Sequence, residues 1–103
     1  MNKYEKIGEG RLYPNSYKNP GSNQPDFRGK ITINNKEYSI AGWDNGPVIS
    51  LNISNGIGKL FKNENASGSY PNYTGKINKG ETEYRIAGWD NGSSIGLELT
   101  SNV

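Results

Sequence analysis

One heptapeptide occurs twice, as Ile40-Ala41-Gly42-Trp43-Asp44-Asn45-Gly46 and as Ile86-Ala87-Gly88-Trp89-Asp90-Asn91-Gly92, and it holds both tryptophans of the chain. From Pro25, which falls on Pro71, the sequence aligns with itself without a gap at an offset of about 46 residues, and about half of the paired positions are identical. Such self-similarity marks a duplicated structural unit. A unit this short cannot enclose a core alone, so two must share one. Each heptapeptide ends in Asp-Asn-Gly, which reverses a strand through left-handed backbone conformations.

Around the heptapeptides apolar and polar residues alternate with the period of a β-strand. Lys30 to Asn34 reads as a strand, Asn34-Asn35 as a tight turn, Lys36 to Trp43 as the return strand and Asp44 to Pro47 as a second turn. Val48 to Ser54 gives a fourth strand, and Ile95, Leu97 and Leu99 repeat its pattern. Upstream, Gly10 to Asn15 reads as a short strand ended by Pro14, with Gly58 to Asn63 as its counterpart. Polar loops follow each, Ser16 to Gln24 and Glu64 to Tyr70. Residues 1–9 show no period and suit a leader or a weak first strand. Glycine or proline interrupts every stretch that might carry helical spacing. The expected fold is all-β: two tandem four-stranded antiparallel units, repeat 1 over about 10–54 and repeat 2 over about 58–100, with 1–9 as leader, forming one pseudo-two-fold barrel or sandwich in a single domain, 1–103.

Alternation also assigns faces. Ile31, Ile33, Tyr38, Ile40, Ile49, Leu51 and Ile53 share the apolar parity in the first copy; Ile77, Tyr84, Ile86, Ile95, Leu97 and Leu99 share it in the second. The opposite parity carries Lys30, Thr32, Ser39, Ala41 and Trp43, matched by Lys76, Asn78, Arg85, Ala87 and Trp89. The tryptophans admit two readings. Gly42 and Gly88 could mark bulges that turn the rings into the core, or the rings could lie outside as flat platforms for a planar ligand, with cations nearby for phosphate. Phe27 and Tyr73, each at a strand start, either cap the barrel or line a cleft.

With no Cys and no His, the chain has no disulfide and lacks the usual zinc, haem and iron–sulfur ligand sets, so no cofactor or metal is expected. Aromatic residues make up 11% of a sequence that is only 31% hydrophobic, so the aromatics weigh heavily in both core and surface. A formal net charge of +2 argues against a long electrostatic track and in favour of a compact anion site. Residues 1–20 contain no apolar run of the kind found in secretory signals or membrane anchors, so the protein is expected in the cytoplasm of a bacterial host and away from membranes.

The run Gly58-Lys59-Leu60-Phe61-Lys62-Asn63, followed by Pro71-Asn72-Tyr73-Thr74-Gly75-Lys76 and Glu83-Tyr84-Arg85-Ile86-Ala87-Gly88-Trp89, resembles very small bacteriophage and mobile-element proteins. Those have a Gly-x-Leu-Phe-Lys-Asn opening, a Pro-Asp-Tyr-x-Gly centre and a Gly-Trp or Ala-Trp strand end. The resemblance spans nearly all of residues 10–100 and is closer in the second copy; in the first, Pro14 and Phe27 replace the family's Lys and Tyr. It implies two fused units of a kind suspected of binding nucleic acid or countering host defence.

Function is expected to be non-enzymatic. Proton transfer and nucleophilic attack need positioned groups, and only scattered carboxylates, tyrosines and hydroxyls are present. Asp44 and Asp90 could pair across a pseudo-dyad, but Asp before Asn-Gly is ordinary turn chemistry. The leading expectation is a binder of a nucleotide signal or short single-stranded nucleic acid, working as a monomer or homodimer. Its candidate ligand-binding residues are Trp43, Trp89, Asp44, Asp90, Asn45, Asn91, Phe27, Tyr73, Arg11, Arg28, Lys30, Lys76 and Arg85. The alternative is an inhibitor that binds a host protein through an exposed sheet edge or the Asn/Ser/Gly loops. A carbohydrate-binding module comes third.

Overall fold

The computed structural model describes residues 4–16, 19, 21–64, 68 and 70–102. Eight strands follow one another: β1 (Tyr4–Pro14), β2 (Phe27–Ile33), β3 (Lys36–Asp44), β4 (Val48–Ile53), β5 (Gly56–Lys62), β6 (Tyr73–Lys79), β7 (Thr82–Asp90) and β8 (Ile95–Asn102). Each pairs antiparallel with the next and β8 pairs with β1, which closes the sheet into an up-and-down barrel. Of the two architectures allowed by the sequence, the barrel is the one formed. Closure leaves no strand as an edge, so every strand finds hydrogen-bonding partners on both sides.

The turns explain the direction of the meander. At Asn34 and Asn35 φ is +50° and +71°, the paired left-handed conformation that a two-residue hairpin needs and that Asn tolerates. Asn55 (+63°) and Gly80 (+61°) serve the β4–β5 and β6–β7 connections at the same end. The other end carries both Asp-Asn-Gly turns and both long loops. Tyr17, Lys18, Pro20, Asn65, Ala66, Ser67 and Ser69 of those loops lie outside the described residues.

Inside, the parity assignment holds. Ile31, Ile33, Ile40, Ile49, Leu51, Ile53, Ile77, Ile86, Ile95, Leu97 and Leu99 are buried, joined by Leu12, Leu60 and Tyr73, while Tyr38 and Tyr84 pack against this cluster half-buried. Each fully buried aliphatic side chain contributes about 1.5–3 kcal/mol by leaving water. Large residues alternate with glycine around the wall. Leu12 faces Gly29, Leu51 faces Gly42 and Gly58, Leu60 faces Gly75, and Leu97 faces Gly88 and Gly10. In so narrow a barrel an inward side chain at every position would not fit. Gly29 and Gly75 are the tightest points: a Cβ there would lie 1.7 Å from the Arg11 carbonyl oxygen and 1.8 Å from that of Lys59.

β1 begins at Tyr4, so of the two readings of residues 1–9, a leader or a weak first strand, residues 4–9 take the strand, continuous with the one that the sequence starts at Gly10. A register shift against β8 between Lys6 and Gly8 breaks the alternation that would have revealed the strand. Ile7, at that shift, packs on the core.

Candidate functional site

The heptapeptide turns sit at the long-loop end. Asp44 Oδ1 accepts from Gly46 N at 3.0 Å and Asp90 Oδ1 from Gly92 N at 2.9 Å, and both glycines have positive φ, +91° and +89°. The carboxylates thus cap their own turns, as the turn-chemistry reading expected. A second repeated contact pins each hairpin to the preceding loop: Asp44 N donates to Asp26 Oδ2 and Asp90 N to Asn72 Oδ1, both at 2.8 Å. Asn45 Nδ2 donates to Ser50 Oγ, and the Asn91 backbone N–H to the Ser94 carbonyl. These polar groups are engaged in building the turns.

The tryptophans lie outside the barrel. The ladder runs through Gly42 and Gly88 without a shift, Phe27↔Gly42↔Leu51 and Tyr73↔Gly88↔Leu97, so no bulge flips the parity and it is the glycines that point inward. Both indoles are half-buried. Trp43 Nε1 donates to the Asn23 carbonyl oxygen at 3.0 Å, so this ring holds down the β1–β2 loop.

Phe27 and Tyr73 resolve toward the barrel interior. Phe27 packs half-buried on the core, and Tyr73, 9% exposed, belongs to it. Little of the Tyr73 ring is therefore open to a ligand. Burial pushes its hydroxyl above the ordinary tyrosine range, and the Asp90 and Asp44 carboxylates add to that rise.

The cations gather elsewhere, on the outer wall. There Lys59 on β5 stands directly opposite Lys76 on β6, which stands directly opposite Arg85 on β7. These three line a groove of about 590 Å³, inside the range of about 300–1,000 Å³ typical of small-molecule sites. Ile57 and Phe61, 66% and 52% exposed, flank Lys59 along β5 and line the same groove, with Ala87 leaving room beside them. Gly58 and Gly75 also line it. Both face the lumen, where a Cβ at Gly75 would meet the Lys59 carbonyl oxygen and one at Gly58 the Lys76 carbonyl oxygen.

Lys76 Nζ lies 3.5 Å from Glu83 Oε1, but both ends are exposed, and such a pair is worth less than about 1 kcal/mol, so its cation can turn to an anionic ligand at little cost. Among the described residues, Lys59 has no carboxylate within ion-pairing distance. Of the candidate residues, the groove brings together Lys76 and Arg85; Arg11, Arg28 and Lys30 lie on the wall of β1 and β2. Trp43, Trp89, Asp44, Asp90, Asn45 and Asn91 line neither hollow. Comparison with family models, curated proteins and solved structures returns no match. The sequence reading missed Lys59, Phe61 and Ile57. The signal was available: Ile57-x-Lys59-x-Phe61 alternates on one face, with the buried Leu60 fixing the other.

Proposed function

We propose that this protein is a non-enzymatic binder of a nucleotide or a short single-stranded nucleic acid, and that the groove across β5, β6 and β7 is its site. The observation that carries the reading is the row Lys59, Lys76 and Arg85, three cations in directly opposed positions beside an exposed aromatic ring. Like charges so placed repel. A bound phosphate would relieve that repulsion, and Phe61 would stack on a base whatever its identity. A compact hollow suits a ligand of one to a few nucleotides better than a long strand. The resemblance of residues 10–100 to small phage proteins supports a nucleotide signal of host defence as the ligand, with the bacterial cytoplasm as its setting.

A host protein as the partner is the alternative. Its sheet-edge mode has no free strand to add to in a closed barrel, which leaves the loops or the Ile57–Phe61 surface. A thermal-shift and titration screen against mononucleotides, cyclic dinucleotides and short single strands separates the two. Nucleotide binding that weakens steeply with added salt supports the proposal; no response at millimolar ligand, with a host protein captured through Phe61, supports the alternative.

A further inference from the structure

The wall of β1 and β2 holds a second hollow, of about 560 Å³, lined by Arg11, Arg28, Lys30 and Tyr13. Its construction parallels that of the first on β1 and β2 as the first is built on β5 and β6. Arg11 stands opposite Lys30 as Lys59 stands opposite Lys76. Gly10 and Gly29 line it where Gly58 and Gly75 line the other, and a Cβ at Gly29 would collide with the Arg11 carbonyl just as one at Gly75 would with that of Lys59. Tyr13, 52% exposed, takes the place of Phe61 two residues along the strand from the cation.

We infer that the protein carries two nucleotide sites, one on each side of the barrel, and that the β1–β2 hollow is the weaker of them; this rests on the reading of the first groove as a nucleotide site. In the ring of eight strands β2 and β6 are four apart, hence on opposite walls, so one small ligand cannot fill both. The second site still offers phosphate partners, Arg11, Arg28 and Lys30, and a ring for stacking. The lining carboxylates weaken it: Glu9, where the first groove has Ile57, and Glu37 line this hollow, against Glu98 in the first. Each hollow holds three cations, so the additional carboxylate is what is expected to lower affinity for an anion, by several-fold.

The test is an equilibrium titration at low salt with a 5′-phosphorylated thymidine dinucleotide, since stacking tolerates any base. The wild type is expected to take up two equivalents in a strong and a weak phase. Lys59→Gln with Lys76→Gln should abolish the strong phase and keep the weak one; Arg11→Gln with Lys30→Gln should do the reverse. Arg28→Gln repeats the second arm should the Arg11 change unfold the barrel, which a thermal melt would reveal. One equivalent on the wild type, abolished by the Lys59 and Lys76 changes and untouched by either set in the β1–β2 hollow, would overturn the second site and leave the first standing. No uptake by the wild type would overturn both.

Discussion

Lys59 and Lys76 stand directly opposite one another on neighbouring strands, both exposed on the outer wall of the barrel. Sheet pairing disfavours like charges in that position, so the arrangement costs stability. Lys59→Gln is expected to leave stability unchanged or raise it by about 0.2–1 kcal/mol. The same change should weaken nucleotide binding by about five-fold or more. Thermal melts and a ligand titration on the one variant check both; lower stability with unchanged binding would make Lys59 a structural residue.

The glycines that shape the wall should differ sharply in tolerance. Gly75→Ala would set a Cβ 1.8 Å from the Lys59 carbonyl oxygen, a backbone atom, and is expected to cost about 3 kcal/mol or more. Gly88→Ala meets the Ile95 side chain at 3.1 Å and Tyr73 Cβ at 3.4 Å, which can give by tenths of an ångström. Its cost should be clearly smaller. Urea denaturation of the two variants ranks them, and equal costs would contradict the close approach of β5 and β6.

Ile40 and Ile86 are 3% and 2% exposed at equivalent positions of β3 and β7, one opposite Gly29 and Ile53, the other opposite Gly75 and Leu99. Truncation of either to Ala should leave a similar cavity and cost about 2–5 kcal/mol. A neutral result for one, measured by denaturant unfolding, would mean that the two copies do not share the core evenly.

Tyr73 supplies a pH signature. Its hydroxyl ionises less readily in the folded barrel than in the unfolded chain, where the ordinary value is 10.0. The folded state thus holds the proton while the unfolded state loses it, so stability from this group is intact below about pH 10 and declines as pH rises through the folded value. Tyr73→Phe should lose less stability than the wild type between about pH 9 and 11. Parallel declines of the two proteins in melts across that range would contradict the burial of this hydroxyl beside Asp90 and Asp44.

The repeat and the period-two alternation made the all-β class and most of the core legible, because Ile31, Ile40, Ile86 and their neighbours announce an inward face by their side chains alone. Glycine announces nothing. Gly29, Gly42, Gly75 and Gly88 occupy inward positions, and with no side chain to show parity, Gly42 and Gly88 read in the sequence equally well as bulges. The early start of β1 was hidden by the register shift between Lys6 and Gly8. The proposed site was half legible. Lys76 and Arg85 follow from parity within one hairpin, whereas their junction with Lys59 depends on β5 pairing with β6 across a ten-residue loop, which no local pattern records. The tryptophans are the most distinctive residues of the sequence, and the indole of Trp43 anchors the β1–β2 loop.

The groove across β5, β6 and β7 is the proposed nucleotide site. The most direct measurement is a two-dimensional amide NMR titration of the wild-type protein with a short single-stranded oligonucleotide at low salt. Shifts are expected to concentrate on Lys59, Phe61, Lys76 and Arg85, to saturate, and to collapse as salt is raised. Phe61→Ala should weaken the same titration about five- to a hundred-fold, from loss of stacking. Shifts confined to the Asp44 and Asp90 turns, or none at millimolar ligand, would contradict the assignment of this groove.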